Sequence, residues 1–240
     1  MKRRDISFVF PMYNELRNIE ACVRRATSLA SKWGLDYEII LADDASTDGT
    51  GKKIDELAAQ DGHIIPIHLK VNSRFGGALK KGLSAATKET IIYTDADFSV
   101  REEDLTKALG LLDSADIVSA YSLVTKDDGL KRIIISKVYN RLVEILFGLP
   151  LRDINCGFKI YKKETLKDLV LVSESPFVNV EIFTEARKRN HKIVQCGVIF
   201  QVPKAKNSNL SRPPIIFRTF LDMFYYRFGL HLLSIRRICG

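Results

Sequence analysis

The apolar run Ile91-Ile92-Tyr93-Thr94 ends in two carboxylates one residue apart, Asp95 and Asp97. Such a run is that of a buried strand, and unpaired acids at its end are costly unless they meet a cation or a proton. If the chain turns there, both carboxylates can reach one ion, or one can reach it through water. Oxygen ligands of this kind suit Mg2+ or Mn2+, which commonly share their coordination with substrate phosphates. Taken alone, the pair is equally that of two solvated acids opening a loop or capping a helix.

Other residues with chemical potential sit in comparable places. Asp43 and Asp44 close the run Tyr37 to Ala42, and Ser46-Thr47-Asp48-Gly49-Thr50 continues as a turn and helix start. Asp48 is expected to cap that helix, whereas Asp43 stands at the strand end where ligands bind. Pro11 is expected to break the first strand, because proline cannot donate to a ladder. Behind it Tyr13 offers a ring on which a nucleobase could stack, beside the acid of Glu15; the plainer alternative is a turn with a buried tyrosine. Arg74-Phe75-Gly76-Gly77 follows the third apolar run.

These positions depend on the elements that carry them. Strand-like and helix-like runs alternate: Ile6 to Phe10 then Asn18 to Lys32; Tyr37 to Ala42 then Gly51 to Gln60; Ile64 to Leu69 then Ala78 to Thr87; Ile91 to Thr94 then Asp104 to Leu112; and Ile117 to Ala120. Repeated units of this spacing predict an α/β fold, a mostly parallel Rossmann-like sheet with helices on both faces. Ligands bind such sheets at the carboxyl ends of the strands, so four loops would converge on one rim. Beyond Tyr121 the pattern changes, with helices over Leu130 to Phe147 and Val178 to Arg189 and strands over Phe158 to Tyr161 and Ile193 to Val202. This half is expected to form the acceptor side of the cleft.

Composition narrows the class. With 240 residues and 46% hydrophobic content, the chain suffices for one packed domain over residues 1–211, followed by a tail over 212–240. From Phe200 to Gly240 seven Lys and Arg face one acid, while the remaining 30 basic and 28 acidic residues nearly balance. The tail alternates aromatic and aliphatic bulk with arginines, the composition of an amphipathic helix at a membrane interface; a helix packed on its own domain would look similar. No run is long and apolar enough for a spanning helix, and the apolar start stops at Pro11, too early for a signal peptide. Four scattered cysteines indicate neither zinc nor a disulfide framework, which suits a reduced cytosol. No basic patch with interleaved aromatics lies outside the tail, so nucleic acid is not an expected partner.

Together, Pro11-Met12-Tyr13-Asn14-Glu15, Asp43-Asp44-Ala45-Ser46-Thr47-Asp48-Gly49-Thr50, Gly76 to Gly82 and Asp95-Ala96-Asp97 resemble, in order and spacing, the sequence blocks of the family 2 inverting glycosyltransferases. Asn140, the stretch Asp153-Ile154-Asn155-Cys156-Gly157-Phe158-Lys159-Ile160-Tyr161 and Glu181 are similar to the polyprenyl-phosphate branch, that of the dolichyl-phosphate mannosyltransferases. The resemblance covers about residues 5 to 210. It implies a GT-A fold in which Pro11, Tyr13, Glu15, Asp43, Asp44 and Gly76 contact a nucleotide-sugar. It also implies that Asp95 and Asp97 hold Mg2+ or Mn2+ at the diphosphate, with Ala96 adding backbone contacts. The implied reaction moves a hexose, mannose before glucose, from a GDP- or UDP-sugar to a polyprenyl or dolichyl phosphate at the cytoplasmic face of a membrane.

A lipid phosphate is already anionic, so no general base is needed, but cations must tolerate two phosphate groups brought together. Arg132 is the foremost candidate, since a guanidinium grips phosphate with two bonds. Lys131, Arg141, Arg152, Lys159, Lys204 and Lys206 are further candidates. Two departures from the family stand out: Ala120 occupies the place of an arginine after the fifth strand, and Lys204-Ala205-Lys206-Asn207-Ser208 replaces an Arg- and Gly-containing block. The alternatives are a sibling transferase with a glycan or other non-lipid acceptor, and a nucleotide-sugar-binding module that has lost turnover.

Overall fold

The computed structural model describes residues 4–123, 130–201 and 213–229. Seven strands form one sheet: β1 (Ile6–Met12), β2 (Tyr37–Asp43), β3 (Ile64–His68), β4 (Thr90–Thr94), β5 (Ile117–Ser122), β6 (Phe158–Lys162) and β7 (Ile193–Val198). The helices are α1 (Ile19–Trp33), α2 (Thr50–Ala58), α3 (Arg74–Ala85), α4 (Glu102–Leu111), α5 (Leu130–Phe147), α6 (Val178–Lys188) and α7 (Pro213–Arg227).

Strand β1 shows why the sheet is central. Ile6, Phe8, Phe10 and Met12 enter the core layer beneath α1, α2 and α4, while Val9 enters the layer beneath α3, α5, α6 and α7. Both faces are apolar, as a strand covered by helices on each side requires. Helix α1 answers with Ile19, Cys22, Val23, Ala26, Leu29 and Ala30, a stripe recurring every three or four residues.

The strand order is β3-β2-β1-β4-β6-β5-β7. The chain runs outward from β1 to β3 and then returns to the other side of β1 as β4. This reversal opens a crevice beyond the carboxyl ends of β1 and β4, the place where such sheets bind ligands. Strand β6 runs antiparallel between β4 and β5, with Thr94 opposite Phe158 and Ser119 opposite Lys159. Its amino-terminal end therefore lies at the rim, and the loop leading into it joins the crevice.

Three boundaries differ from the sequence reading. Strand β1 continues through Pro11, which is paired with Ala42. The ladder on the β4 side stops at Val9, so proline occupies a stretch with one strand partner. Helix α3 starts at Arg74 rather than near Ala78, which places Gly76 and Gly77 in its first turn instead of in a loop. Strand β7 ends at Val198, after which Phe200 bridges back to Val100.

The described part of the basic tail packs on the domain. Met223 is fully buried, the Phe220 ring meets Tyr139 edge-on at 6.0 Å, and Tyr226 packs against Phe147 and Phe177 at 6.0 and 5.6 Å. Its other face exposes Phe217, Phe224, Tyr225 and Phe228, beside the exposed Ile134, Val138 and Ile145 of α5. No described helix is long and apolar enough to cross a membrane.

Candidate active site

The loops after β1 and β2 are interlocked. Asn14, at φ 57°, donates its N–H to Ser46 Oγ at 2.9 Å and accepts from the Thr47 N–H at 2.8 Å. The Glu15 N–H donates to Thr50 Oγ1 at 2.9 Å and the Leu16 N–H to Asp48 Oδ2 at 3.2 Å. Asp48 Oδ1 also accepts from the Thr50 N–H and hydroxyl, at 3.0 and 2.5 Å, which is the structural duty expected of it. Each such bond contributes about 1 kcal/mol. Tyr13 projects between the loops with 41% of its surface exposed, which excludes the buried-tyrosine alternative.

The two acids of the β2 loop are both buried but differently engaged. Asp43 Oδ1 accepts from the Ser46 N–H at 3.1 Å, and its Oδ2 lies 3.4 Å from His68 Nδ1. Asp44 Oδ1 accepts from the Ser73 N–H at 2.6 Å, and burial pushes its pKa up to about 6. It thereby ties the β2 loop to the start of α3. Gly76 donates its N–H to the Glu174 carbonyl at 2.7 Å, and a Cβ there would come within 2.5 Å of the Ser173 carbonyl oxygen. Its glycine identity is thus explained by close approach of α3 to the 173–174 segment.

Across the crevice, the Asp95 N–H donates to the Gly157 carbonyl at 3.1 Å, and the Tyr93 hydroxyl donates to Asp95 Oδ1 at 3.1 Å. A Cβ at Gly157 would fall 2.0 Å from Asp95 Oδ2, so this glycine makes room for the carboxylate. Ala96 is buried, while Asp97 is exposed and accepts from Ser99 Oγ at 3.1 Å. Glu15 faces the same region. Burial pushes its pKa up, the Asn18 amide at 2.6 Å works against that, and the charges of Asp95, Asp97 and Asp48 push it further.

The charges of Asp95 and Asp97 at the end of β4 thus act on Glu15 at the end of β1 across the switch point. Among the described residues no group of three or more His, Cys, Asp or Glu is arranged to hold a metal by itself. An ion there would take part of its coordination from phosphate or water oxygens.

The far side of the rim is the loop of residues 148–157. Asn140 of α5 donates to the Arg152 carbonyl at 2.8 Å and accepts from the Ile154 N–H at 3.3 Å. Asn179 of α6 donates to Asn155 Oδ1 at 3.1 Å. Lys159, a candidate for phosphate contact, is fully buried instead, with Nζ donating to the Cys156 carbonyl at 2.5 Å and lying 5.3 Å from the Tyr93 ring centre. Glu181 is also buried, accepting from the Val172 and Ser173 N–H groups and the Ser173 hydroxyl.

Arg141 is exposed and paired with Glu144 at 2.7 Å. The side chains of Lys131 and Arg132, and all of Lys204 and Lys206, lie outside the described residues. Ala120 is fully buried in the core.

Sequence reasoning passed over Tyr93 and Arg25. Strand alternation puts Tyr93 on the same face as Asp95 two residues on, a signal that was available. Arg25 lies over the Phe98 ring at 4.9 Å and donates to the Val100 carbonyl, placing a cation near Asp97. Nothing in the α1 pattern marks it out.

Residues 7–170 match the family described as Glycosyl transferase family 2. An undecaprenyl-phosphate 4-deoxy-4-formamido-L-arabinose transferase from Enterobacter is 29% identical over 185 residues, 76% of this chain and 57% of that protein. Glycosyltransferase AglD from Haloferax volcanii is 33% identical over 203 residues, 81% of this chain and 32% of that protein. The chain therefore spans between a third and three fifths of the length of these relatives. Glucosyl-3-phosphoglycerate synthase from Mycobacterium tuberculosis, solved with Mn2+, UDP and glucosyl-3-phosphoglycerate, shares the fold with a TM-score of 0.70, 19% identity and coverage of 94% of this chain and 80% of that one. Mannosyltransferase PcManGT from Pyrobaculum calidifontis, solved with GDP-Man and Mn2+, gives a TM-score of 0.60 at 20% identity, covering 86% and 59%.

Proposed function

Because the chain belongs to glycosyl transferase family 2, we propose that it transfers a hexose, mannose or glucose, from a GDP- or UDP-sugar to a polyprenyl or dolichyl phosphate. The observation that carries this reading is the gathering of Glu15, Asp95 and Asp97 at the switch point, with Tyr13 exposed beside them. Support for the acceptor comes from the Enterobacter relative, whose name specifies undecaprenyl phosphate.

In this reading the base stacks on Tyr13, with Pro11, Glu15 and Asp43 around the base and ribose. Asp44 and Gly76 act from behind, by fixing the loop and the first turn of α3. Mg2+ or Mn2+ held by Asp95 and Asp97 would neutralise the departing diphosphate. An anionic acceptor oxygen forms a bond to the anomeric carbon as the bond to the donor's phosphate oxygen breaks, so no side chain has to remove a proton. The products are a lipid-phosphate sugar and a nucleoside diphosphate.

A lipid acceptor also gives a use to the apolar faces of α5 and α7. The exposed Ile134, Val138 and Ile145 of α5, and Phe217, Phe224 and Phe228 from α7 onward, are suited to lying in the interface at the cytoplasmic face of a membrane. This keeps the protein peripheral.

The test is to incubate membranes containing the full chain with Mg2+ or Mn2+ and a panel of labelled nucleotide-sugars. Label is expected in a product that extracts into organic solvent and is released by mild acid. Label moving only into water-soluble glycosides would replace the lipid acceptor with a soluble one, and binding without turnover would leave a sugar-nucleotide-binding module.

A further inference from the structure

An arginine from another element meets Tyr121 at the end of β5. Arg152, in the loop before β6, lays its guanidinium 4.8 Å over the Tyr121 ring. Its backbone is clamped from both sides: the N–H donates to Gln195 Oε1 of β7 at 3.2 Å, and the carbonyl accepts from Asn140 of α5 at 2.8 Å. The side chain itself is exposed. Among the described residues no carboxylate pairs with Arg152, as is also true of Arg17, Arg25 and Arg187, but of these only Arg152 lies in the loop that borders the crevice.

The location matters as much as the lack of a counter-ion. The Asp95 N–H donates to the Gly157 carbonyl at 3.1 Å, so the loop that carries Arg152 ends beside the carboxylate at the end of β4.

We propose that Arg152, placed over the Tyr121 ring, grips the phosphate of the acceptor from the loop before β6. A guanidinium stacked on an aromatic ring keeps its edge free for two parallel bonds to phosphate oxygens, which a lysine cannot reproduce. The assignment rests on the transferase reading above and names the residue that holds its acceptor's phosphate.

The experiment uses undecaprenyl phosphate as acceptor, with undecaprenol as the phosphate-free control, in phosphatidylcholine vesicles. Arg152→Ala and Tyr121→Leu are each expected to raise the apparent KM for undecaprenyl phosphate by about tenfold or more, with the KM for nucleotide-sugar within about twofold of wild type. Arg152→Lys should recover only part of that loss. Vesicle flotation gives a readout free of turnover: wild type should bind vesicles carrying undecaprenyl phosphate better than those carrying undecaprenol, and Arg152→Lys should lose most of the difference. An unchanged acceptor KM, or a phosphate-dependent difference that survives in Arg152→Lys and Tyr121→Leu, overturns the assignment. If wild type transfers no sugar to undecaprenyl phosphate, the transferase reading fails separately, and flotation alone then decides whether Arg152 binds the phosphate.

Discussion

Around Tyr13 and Asp43 the loops hold one another, whereas the 148–157 loop across the crevice is held from the elements beneath it. On the first side the backbone of residues 14–16 bonds directly to side chains of residues 46–50. On the second, single amides on α5, α6 and β7 reach up to individual positions of the loop. The difference suits two kinds of ligand. A nucleotide is a rigid body that rewards loops already in place, since donors fixed in advance need no reorganisation during reaction. The proposed long-chain acceptor must arrive from elsewhere, and α5, one of the elements that hold its loop, carries an exposed apolar face.

The largest test of this contrast is Asp97→Ala. The side chain is exposed, so stability should hold while turnover in the lipid-product assay falls by about 10²–10³-fold, the scale of losing a group that stabilises charge. Retained turnover would remove the charge-handling role from this side. Gly157→Ala comes next, because that residue touches both sides; overpacking against Asp95 should cost about 1–3 kcal/mol in urea denaturation and disturb the KM for both substrates. Asp48→Ala and Asn140→Ala then separate the halves. Each should lose about 1–2 kcal/mol, with donor KM rising in the first and acceptor KM in the second; a rise in both KM values from either change would mean the halves are one unit.

The smallest effect is electrostatic. Burial raises the pKa of Asp44 to about 6 from an ordinary 3.8, so the protonated form favours the folded protein. That contribution is whole below the lower value and is lost as pH rises through 6. Asp44→Asn keeps an oxygen for the Ser73 N–H and should flatten stability across this window; an unchanged slope of urea stability against pH would show that Asp44 is not the group responsible.

Much of the first half was legible because each strand carried its own signal. The runs ending at Asp43 and Thr94 are apolar throughout, and the acids that follow mark the rim. The errors lie where contacts distant in sequence decide. Gly76 and Gly77 resemble loop residues until Ser173 and Glu174 pack against them. Pro11 ends a strand only where both neighbours need its N–H. The reversed direction of β6 has no local signature, since a five-residue apolar strand fits either orientation, yet it is what brings Arg152 and Gly157 to the crevice. Lys159 likewise has the charge of a surface residue and the position of a core one, set by Tyr93 and Phe183 around it.

The cross-tied loops at residues 14–16 and 46–50 also limit how this protein could be re-engineered. Moving one loop from a relative with a different donor would strand Asn14 without Ser46 and Thr47, or Thr50 without Glu15. Donor preference would have to be exchanged as a cassette of both segments, while acceptor variants could be made one side chain at a time.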